Sequence, residues 1–460
     1  MTRDDLERLS KNELIALVLA QQAQIAGLMA QVETLTRRVA ELEARLGEPP
    51  KGSRNSSVPP SRDRKANRPR RPRGLRREAS VGRAGGGRAL HPDPDEVVVA
   101  RLASCPFCQA AMTAADQDLV ERYDKIDLPP VTPVVTRVER HGGTCRCCGA
   151  RVVAPVPQGL EPGSPFGARV AALAVYLRYG QAISYQRLSR LFADLYGLGI
   201  SEGALANLFQ RVKPRFDDRV AAILERLRRS RLIASDETGA RVNGRTEWEW
   251  VFQNDAVSLH VIRPSRGRAV VAEVLAGYRP QIWVSDLFSA QQGHADQWQV
   301  CLAHQLRDCT FAIEAGDDIL APRIKLILLR ICAIRRRADH LADSTLWQYR
   351  ADLDRRLSAA LARQPTNRHG IRLRRRFVKY RDNLLVCLTD RTVPSTNNAS
   401  ERDIRPSTIF RKVTNGFRSN WGRDLYAGVR SVLNTARRQH NSPFLAIADT
   451  LAGQPLFDTG

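Results

Sequence analysis

Apolar residues near the N-terminus recur with a strict seven-residue period. One register holds Val18, Ile25, Val32, Val39 and Leu46, and a second register holds Leu14, Leu28, Leu35 and Leu42. Two such registers place an apolar stripe on one helix face, which predicts a coiled coil. β-branched residues in the first register favour a parallel dimer, and Gln21 at a core position would fix the alignment. A single amphipathic helix packed on its own domain is the alternative.

The pattern between residues 166 and 230 is helical, with Ala, Leu and Val at three-to-four spacing and arginines on the other faces. Two short helices around a glycine turn, with Ser201 placed to cap the second one, resemble a helix-turn-helix. A helix pair that only braces the next domain is an equally good interpretation.

The period changes from helix to strand after Ser230. An apolar strand ends on Asp236, segments 247–253 and 258–262 alternate as its antiparallel neighbours, and a helix over 267–275 precedes another strand that closes on Asp286. Three strands, a helix and a fourth strand, with acids closing the first and fourth strands, is the element order of a ribonuclease-H-like fold.

The stretch from about residue 320 to 386 has a helical pattern and is densely basic, at 335–337 and 372–376. It predicts a helical insertion, whose arginines would hold DNA or form a solvated charged face. The helical period of 425–438 predicts a helix packed behind the catalytic sheet.

These patterns together predict a multidomain α+β protein. Its expected parts are, in order, a coiled-coil dimerisation helix (1–47), a disordered basic linker (48–98), a small zinc ribbon (99–158), a helical DNA-binding region (159–230), the first part of a ribonuclease-H-like catalytic core (231–319), a helical insertion (320–391), the second part of the core (392–440) and a C-terminal tail (441–460).

Charge narrows the class of partner. Lys and Arg number 72 against 48 Asp and Glu, a formal net charge of +24, which is typical of proteins that bind nucleic acid. The N-terminus shows no secretory pattern and the chain has no run of eighteen apolar residues, so we expect a soluble cytoplasmic protein without a membrane partner. The linker's Arg and Lys would neutralise phosphates without reading sequence, or only solubilise a tether.

Four of the nine cysteines form two close pairs, Cys105 with Cys108 and Cys145 with Cys148. Two such pairs supply four thiolates for a structural Zn²⁺, and the apolar alternation at residues 131–138 is typical of the strands of a zinc ribbon. Cys147 and His141 are alternative candidates for the fourth ligand.

Acidic residues carry the predicted chemistry. Adjacent strand ends would place Asp236 beside Asp286, where both could bind one of two Mg²⁺ ions that act on a phosphodiester. Glu401 is the candidate third acid, on a short helix after an Asn-Asn cap, with Arg402 and Arg405 toward DNA. A surface ion pair between Glu401 and Arg405 is the alternative, and Asp403 is a competing ligand.

Several motifs together resemble a known family. They are the linker SRNSSVPPSRD, the paired cysteines, Asp236-Glu-Thr, Ser285-Asp286, Cys301-Leu-Ala-His304-Gln-Leu-Arg307, Asn397-Asn-Ala-Ser-Glu401-Arg-Asp-Ile-Arg-Pro406 and the Arg411-Lys412 that follows. In this order, over nearly the whole chain, they look like the transposases of the insertion-sequence 66 family. One departure is Leu287-Phe288-Ser289, where many members have a Gly-Tyr stretch, which puts local loop contacts in doubt.

The resemblance implies a DDE transposase that cleaves DNA and transfers strands of an insertion sequence. Asp236, Asp286 and Glu401 match the family's acidic triad. Expected partners are the element's terminal inverted repeats, target DNA, a second copy of the chain or a higher oligomer, and accessory proteins of the same element. The DNA-binding candidates are Arg402, Arg405, Arg411, Lys412, His304 and Arg307, although His304 could equally be a core histidine.

Two other functions fit parts of the pattern. A tyrosine recombinase would use a tyrosine nucleophile without metal, and His304 with Arg307 resembles part of its arginine-histidine-arginine pocket. The order of the residues argues against this function, because Tyr426 precedes Arg437 and His440. A dimeric, zinc-containing DNA-binding protein without catalysis fits the charge, the coiled coil and the cysteines equally well. Only the three acids favour the enzyme over it.

Overall fold

The computed structural model describes residues 10–46, 48–56, 58 and 88–457. Contacts divide the chain into two compact units, one of residues 1–63, 138–190 and 200–460 and another of residues 64–137 and 191–199. The described residues form a mixed α+β architecture of twelve α-helices and seven strands.

The helices are α1 (Lys11–Leu46), α2 (Ala168–Val175), α3 (Tyr185–Tyr196), α4 (Glu202–Leu227), α5 (Arg268–Leu275), α6 (Leu302–Glu314), α7 (Ala321–Arg335), α8 (Asp343–Leu361), α9 (Arg368–Lys379), α10 (Asn398–Thr414), α11 (Asn420–Arg438) and α12 (Pro443–Ala452). The strands are β1 (Gly142–Thr144), β2 (Arg151–Val153), β3 (Leu232–Val242), β4 (Arg245–Gln253), β5 (Ser258–Arg263), β6 (Ile282–Ser285) and β7 (Gln297–Val300).

Helix α1 confirms the long N-terminal helix that the heptads predict. Its apolar side chains are exposed in the single chain, at 52% for Val18, 56% for Ile25 and 61% for Val32. The residues Lys11–Val39 are also long and apolar enough, by length and composition alone, to cross a membrane, although glutamines such as Gln21 interrupt the stretch. Pairing with a second helix through this stripe stays a prediction.

The first part of the predicted disordered linker is instead packed on the large unit. Asn55 is 5% exposed, donates from Nδ2 to Glu314 on α6 at 2.5 Å, and accepts from the Gly52 amide at 2.8 Å. The ammonium of Lys51 lies 5.5 Å from the ring centre of Phe311, also on α6. Of the other linker positions, 57 and 59–87 lie outside the described residues, and 88–98 are exposed and form no helix or strand.

One five-stranded sheet lies at the centre of the large unit, in the order β5, β4, β3, β6, β7. β3, β4 and β5 are antiparallel neighbours, whereas β6 and β7 run parallel to β3. The prediction of two antiparallel strands is confirmed, but of these two only β4 is a neighbour of β3, because β5 pairs with β4. β7 was not predicted, and β3 does not end at Asp236 but continues to Val242.

Helices that precede and follow the strands in the chain pack against this sheet. Ser201 caps α4 through the amide of Ala204 at 3.1 Å, as predicted, but α4 is one long helix of 26 residues and its buried residues pack toward α11. Gly428 on α11 lies against Phe216, where an added Cβ would stand 3.4 Å from that side chain. The bracing interpretation of this region therefore agrees with the structure. Helix α11 covers β5, as predicted for residues 425–438.

The predicted insertion between the second and third acids is helical. Helices α7, α8 and α9 share an apolar cluster with the sheet's β6 and with α6. Two of its arginines are engaged by the protein itself: Arg335 donates to the carbonyl of Val393 at 2.8 Å, and Arg376 pairs with Asp308. Others, such as Arg372 and Arg375, are exposed.

The predicted ribbon strand at residues 131–138 is wrong. Val134 and Val135 are each 91% exposed, and the structure assigns no strand to this stretch. Alternation of apolar residues signals a strand only where one face is buried, and here neither is. The strands near the second cysteine pair are β1 and β2, which form a short antiparallel hairpin.

Candidate active site

The first two predicted acids lie on neighbouring parallel strands. The β3–β6 register pairs Ala234 with Val284, so Asp236 and Asp286 follow two residues later on each chain segment. β6 ends one residue before Asp286, whose Oδ1 accepts the amide hydrogen of Phe288 at 2.9 Å. Both carboxylates therefore lie where the two strands diverge.

These acids destabilise each other's charge. Burial raises the pKa of Asp236 well above its usual range, and the charges of Glu237, Asp286 and Glu401 raise it further. The hydrogen bond from the Glu237 amide to Asp236 Oδ1, at 2.9 Å, opposes this shift without cancelling it. A bound cation would favour the ionised form of Asp236, which its burial and the neighbouring carboxylates oppose.

Glu237 is a fourth acid at this site, and it is absent from the predicted set. Its side chain is 2% exposed, and it is held by Arg266 at 2.8 Å and by Gln291 at 2.8 Å. Burial, followed by the charge of Asp286, raises its pKa. The sequence signal was its position directly after Asp236, but strand alternation suggested the opposite face.

Glu401 comes to the site on the first turn of α10. The start of this helix is tied to β3 because buried Asn397 donates from Nδ2 to the carbonyl of Ser235 at 2.8 Å. Ser400 donates to Asn397 Oδ1 at 2.7 Å and accepts from Gln253 at 3.1 Å. Asn397 occupies the N-cap position, as predicted, but its side chain makes no cap bond to the helix. The helix that was predicted to be short has 17 residues.

Helix α6 supplies the other groups around Glu401. His304 Nε2 lies 3.9 Å from one carboxylate oxygen, and Arg307 Nη2 lies 3.8 Å from the other. Buried Glu401 Oε1 and His304 Nδ1 have no hydrogen-bond partner among the described residues. Ligand atoms of Cys301, His304 and Glu401 lie within 4.8 Å of one another, so these three residues could hold a metal ion.

The electrostatics of His304 follow from this surrounding. Burial opposes its protonation, but the Cys301 thiol and the carboxylates of Glu401 and Asp286 outweigh burial, so the pKa of His304 lies above its ordinary value. His304 is therefore a member of the acidic site and not an isolated core histidine.

The competing ligand Asp403 has a different environment. It pairs with Arg438 at 2.8 Å and accepts from the Ser258 hydroxyl at 2.6 Å. Ser258 belongs to β5, and Arg438 belongs to α11, the helix that covers β5. Two residues apart on α10, Asp403 is a structural acid and Glu401 faces the other acids.

Comparison with known proteins follows this geometry. The family model described as "Transposase IS66 family" matches residues 163–424, more than half of the 460-residue chain. The chain belongs to the IS66 family of transposases. A second model, described as "Family of unknown function (DUF6444)", matches residues 5–93 of the transposase. Comparison with curated proteins gives no match.

One solved structure similar to part of the transposase is the "Crystal structure of the Mos1 Strand Transfer Complex". The likeness has 14% identity and a TM-score of 0.12, and it covers 30% of the transposase and 59% of that chain. A likeness of this size does not define the fold. Membership of the IS66 family rests instead on the match over residues 163–424.

The predicted basic contacts of the transposase are placed at two locations. His304 and Arg307 lie at the acidic site itself. Arg402, Arg405 and Lys412 are exposed along α10, and Arg411 is half-buried against Gly239. The exposed cations continue from the turn of Glu401 toward the C-terminal end of the helix.

Tyr426 does not resemble a nucleophile. It is 1% exposed, donates to the Ser407 hydroxyl at 2.7 Å, and packs against Phe410 with ring centres 4.5 Å apart. Burial raises its pKa, which disfavours the phenolate further. The geometry therefore does not support the tyrosine recombinase alternative.

Each cysteine pair of the transposase forms the same kind of turn. The Cys105 amide donates to Ala110 and its carbonyl accepts from Gln109, each at 2.9 Å; the Cys145 amide donates to Ala150 and its carbonyl accepts from Gly149, again at 2.9 Å. In each turn, backbone amides nearest the second cysteine of the pair lower the pKa of the first thiol. Amide-stabilised thiolates are suited to Zn²⁺.

Proposed function

We propose that this transposase cleaves DNA and transfers its strands with Asp236, Asp286 and Glu401 as a D-D-E triad. The observation that carries this proposal is that Asp236 and Asp286 follow neighbouring strands and that Glu401 lies near enough for its charge to raise the pKa of Asp236. Their mutual repulsion is expressed in the raised pKa of Asp236, and a buried oxygen of Glu401 lacks a partner among the described residues.

The sheet supports a ribonuclease-H-like core. Three antiparallel strands, the helix α5 and the parallel strand β6 agree with the element order expected for that fold, and β7 adds a fifth strand at the edge. α10 returns to this sheet after the helical insertion and delivers Glu401 beside the first two acids. The insertion then lies next to the proposed active site.

The donor set fits divalent metal ions. Carboxylate oxygens are the ligands that Mg²⁺ prefers, and buried like charges favour a cation strongly. Asp236, Asp286 and Glu401 would hold two Mg²⁺ ions, which supply activation of the attacking hydroxyl and stabilisation of the departing oxygen. The neighbouring Cys301 and His304 add softer ligands that would admit Mn²⁺ as a substitute.

The remaining side chains of the site have supporting roles. Arg266 and Gln291 fix Glu237 beside the two aspartates, and His304 with Arg307 orients Glu401 and faces the phosphate to be cut. Arg402, Arg405, Arg411 and Lys412 would hold the DNA that continues from this point, because cations along one helix match the spacing of a phosphate backbone.

The N-terminal regions would assemble the complex. The exposed apolar stripe of α1 fits a second copy of the chain, and Cys105, Cys108, Cys145 and Cys148 would hold one structural Zn²⁺. The DNA partners would be the terminal inverted repeats of its element and the target. Accessory proteins of the same element are a further expectation from the family.

The test is Mg²⁺-dependent nicking of labelled DNA that bears the element's own ends. Wild type should nick and Glu401→Gln should not, while both bind the DNA with equal affinity. Asp403→Asn is the matched control because it lies two residues away on the same helix, and it should nick when folded. Equal nicking by wild type and Glu401→Gln contradicts the triad.

The remaining alternative is a DNA-binding protein without catalysis. It predicts that neither wild type nor any variant nicks the DNA, and that Mg²⁺ leaves binding unchanged. The unbalanced acids disfavour it, because a protein that only binds DNA gains nothing from three carboxylates that repel both one another and phosphate.

A further inference from the structure

A cavity of about 400 Å³ lies away from the acids, between the start of α3, the end of α10 and the loop before α11. Its lining includes Arg178, Tyr185, Glu202, Phe417, Arg418 and Trp421. Aromatic rings, two cations and one carboxylate in a space of this size resemble a site for a small flat polar ligand. Nothing in the proposed triad chemistry uses it.

Arg178 is a buried cation in the lining of this cavity, and its hydrogen-bond donors are not all used by the protein. Its side chain is 8% exposed, and its guanidinium carbon lies 4.5 Å from the ring centre of Tyr185 and 4.9 Å from that of Phe410. Nη1 donates to the carbonyl of Ile183 at 2.9 Å, whereas Nε has no partner among the described residues. A buried donor without an acceptor destabilises the fold, and an acceptor on a ligand would relieve it.

The wall of this cavity is fixed to the strand that carries Asp236. Phe417 donates to the carbonyl of Arg241 at 2.8 Å and accepts from Asn243 at 2.9 Å, so the loop adds to the end of β3. Gly416 has φ +98°, and a Cβ there would lie 2.3 Å from the Arg241 carbonyl oxygen, so no other residue fits. The cavity is therefore a built part of the core.

We propose that this cavity holds one unpaired base of the DNA on which the transposase acts, a proposal that rests on the proposed function. Tyr185 and Trp421 are half-buried rings that offer stacking surfaces to a base. The guanidinium of Arg178, which lines the cavity, would donate to a base carbonyl or ring nitrogen, and Glu202 would accept from an exocyclic amino group. Exposed Arg418 would contact the adjoining phosphate.

Helix α10 sets the distance between the cavity and the acids. Glu401 lies on its first turn, and Val413 and Thr414 line the cavity from its last turn. At 1.5 Å of rise per residue the two ends are about 20 Å apart. One strand advances 3.4 Å per nucleotide, so the held base would lie about six nucleotides from the cut.

The test compares two 30-base-pair duplexes that differ by one unpaired nucleotide, bound to the full-length protein without added Mg²⁺ and measured by fluorescence anisotropy. Wild type should prefer the duplex with the unpaired nucleotide. Trp421→Ala should weaken binding of that duplex about tenfold, as expected for one lost stacking partner, and leave the paired duplex unchanged. Trp421→Phe keeps a ring and should restore most of the preference.

Trp347→Ala is the matched control, since Trp347 is 61% exposed on α8 outside the cavity. The proposal is overturned if wild type binds both duplexes equally or binds neither. It is also overturned if Trp421→Ala and Trp347→Ala, each with an unchanged melting temperature, have the same effect.

A competition arm separates the two sources of a nucleobase. Single-stranded DNA should displace the probe, and free dTMP or dAMP at the same nucleotide concentration should not. Displacement by the free nucleotides would assign the cavity to a mononucleotide and overturn the DNA source. Because this assay needs no metal and no cleavage, its failure is distinguishable from that of the triad, which only the nicking by Glu401→Gln decides.

Discussion

Helix α10 carries two acids, two residues apart, that behave in opposite ways. Asp403 is neutralised by Arg438 and by a hydroxyl of β5, and nearby Glu249 accepts from His260 at 2.9 Å and from Ser407 at 2.8 Å. Glu401 has only distant cations at 3.8 to 3.9 Å and an oxygen without a partner among the described residues. Asp403 is buried and Glu401 is half-buried, but only Asp403 has its hydrogen-bonding and charge partners in contact.

The difference separates acids that hold the fold from acids that await a ligand. A satisfied buried acid stabilises its neighbours, and its removal leaves them unpaired. An unsatisfied group of acids destabilises the folded chain unless a cation joins it, which is the physical signature of a functional site. The two sets should therefore respond to mutation in opposite ways, in activity and in stability.

The largest expected effect is the loss of cleavage when an acid of the proposed triad is replaced. Asp286→Asn should reduce nicking by roughly a thousandfold or more, because a metal ligand contributes several kcal/mol to transition-state stabilisation. Single-turnover nicking at saturating Mg²⁺ measures it. A loss of less than tenfold would remove Asp286 from the triad.

The next largest expected effect is a loss of stability when Asp403, the acid that is paired within the protein, is replaced. Asp403→Asn leaves Arg438 without its charge partner and should lower the free energy of unfolding by about 3 kcal/mol. Urea denaturation of the metal-free protein measures it. If Asp236→Asn destabilises the chain as much as Asp403→Asn does, the two sets are not different in kind.

A smaller effect is expected at the residues that orient Glu401. His304→Gln should reduce nicking about ten- to a hundredfold, as is usual for a partner of a metal ligand, while Mg²⁺ binding weakens in parallel. The matched control is His340→Gln, since His340 is exposed in the insertion. Unchanged nicking by His304→Gln would return His304 to the role of a core residue.

The smallest effect is a pH dependence of stability. Burial and the charges of Glu237 and Asp286 raise the pKa of Asp236 in the folded chain above its unfolded value of about 3.9. The folded chain then binds more protons within this window, so stability falls as pH rises through it, and the full penalty is present above the folded pKa. The melting temperature of metal-free Asp236→Asn should exceed that of wild type by a few degrees at pH 8 and by less at pH 4. A difference that does not grow with pH contradicts this electrostatic assignment.

Sequence patterns predicted much of the frame of the molecule, because each pattern depended on local periodicity. Alternation over residues 247–253 and 258–262 predicted the strands β4 and β5, and the positions of Asp236 and Asp286 followed from the apolar strands that precede them. The seven-residue repeat predicted α1. Strand β7 is only four residues long, Gln297–Val300, and its alternation of glutamine with an apolar residue is too short to identify a strand.

Other features depend on tertiary contacts that no local pattern encodes. Asp403 is neutralised by Arg438, which lies 35 residues away in the chain. His304 approaches Glu401 because α6 packs on the start of α10. Glu237 was missed because strand alternation predicts the opposite face. The packing of Asn55 on Glu314 was hidden by a composition that is typical of linkers.

Equilibrium binding of Mn²⁺ to the zinc-loaded, full-length protein tests the central claim most directly, since it asks whether the unsatisfied acids take up metal. Electron paramagnetic resonance of free Mn²⁺ counts the bound ions in wild type, Asp236→Asn and Asp403→Asn. We predict two ions in wild type and in folded Asp403→Asn, and the loss of at least one in Asp236→Asn. Equal binding by wild type and Asp236→Asn, or none by either, would contradict the account.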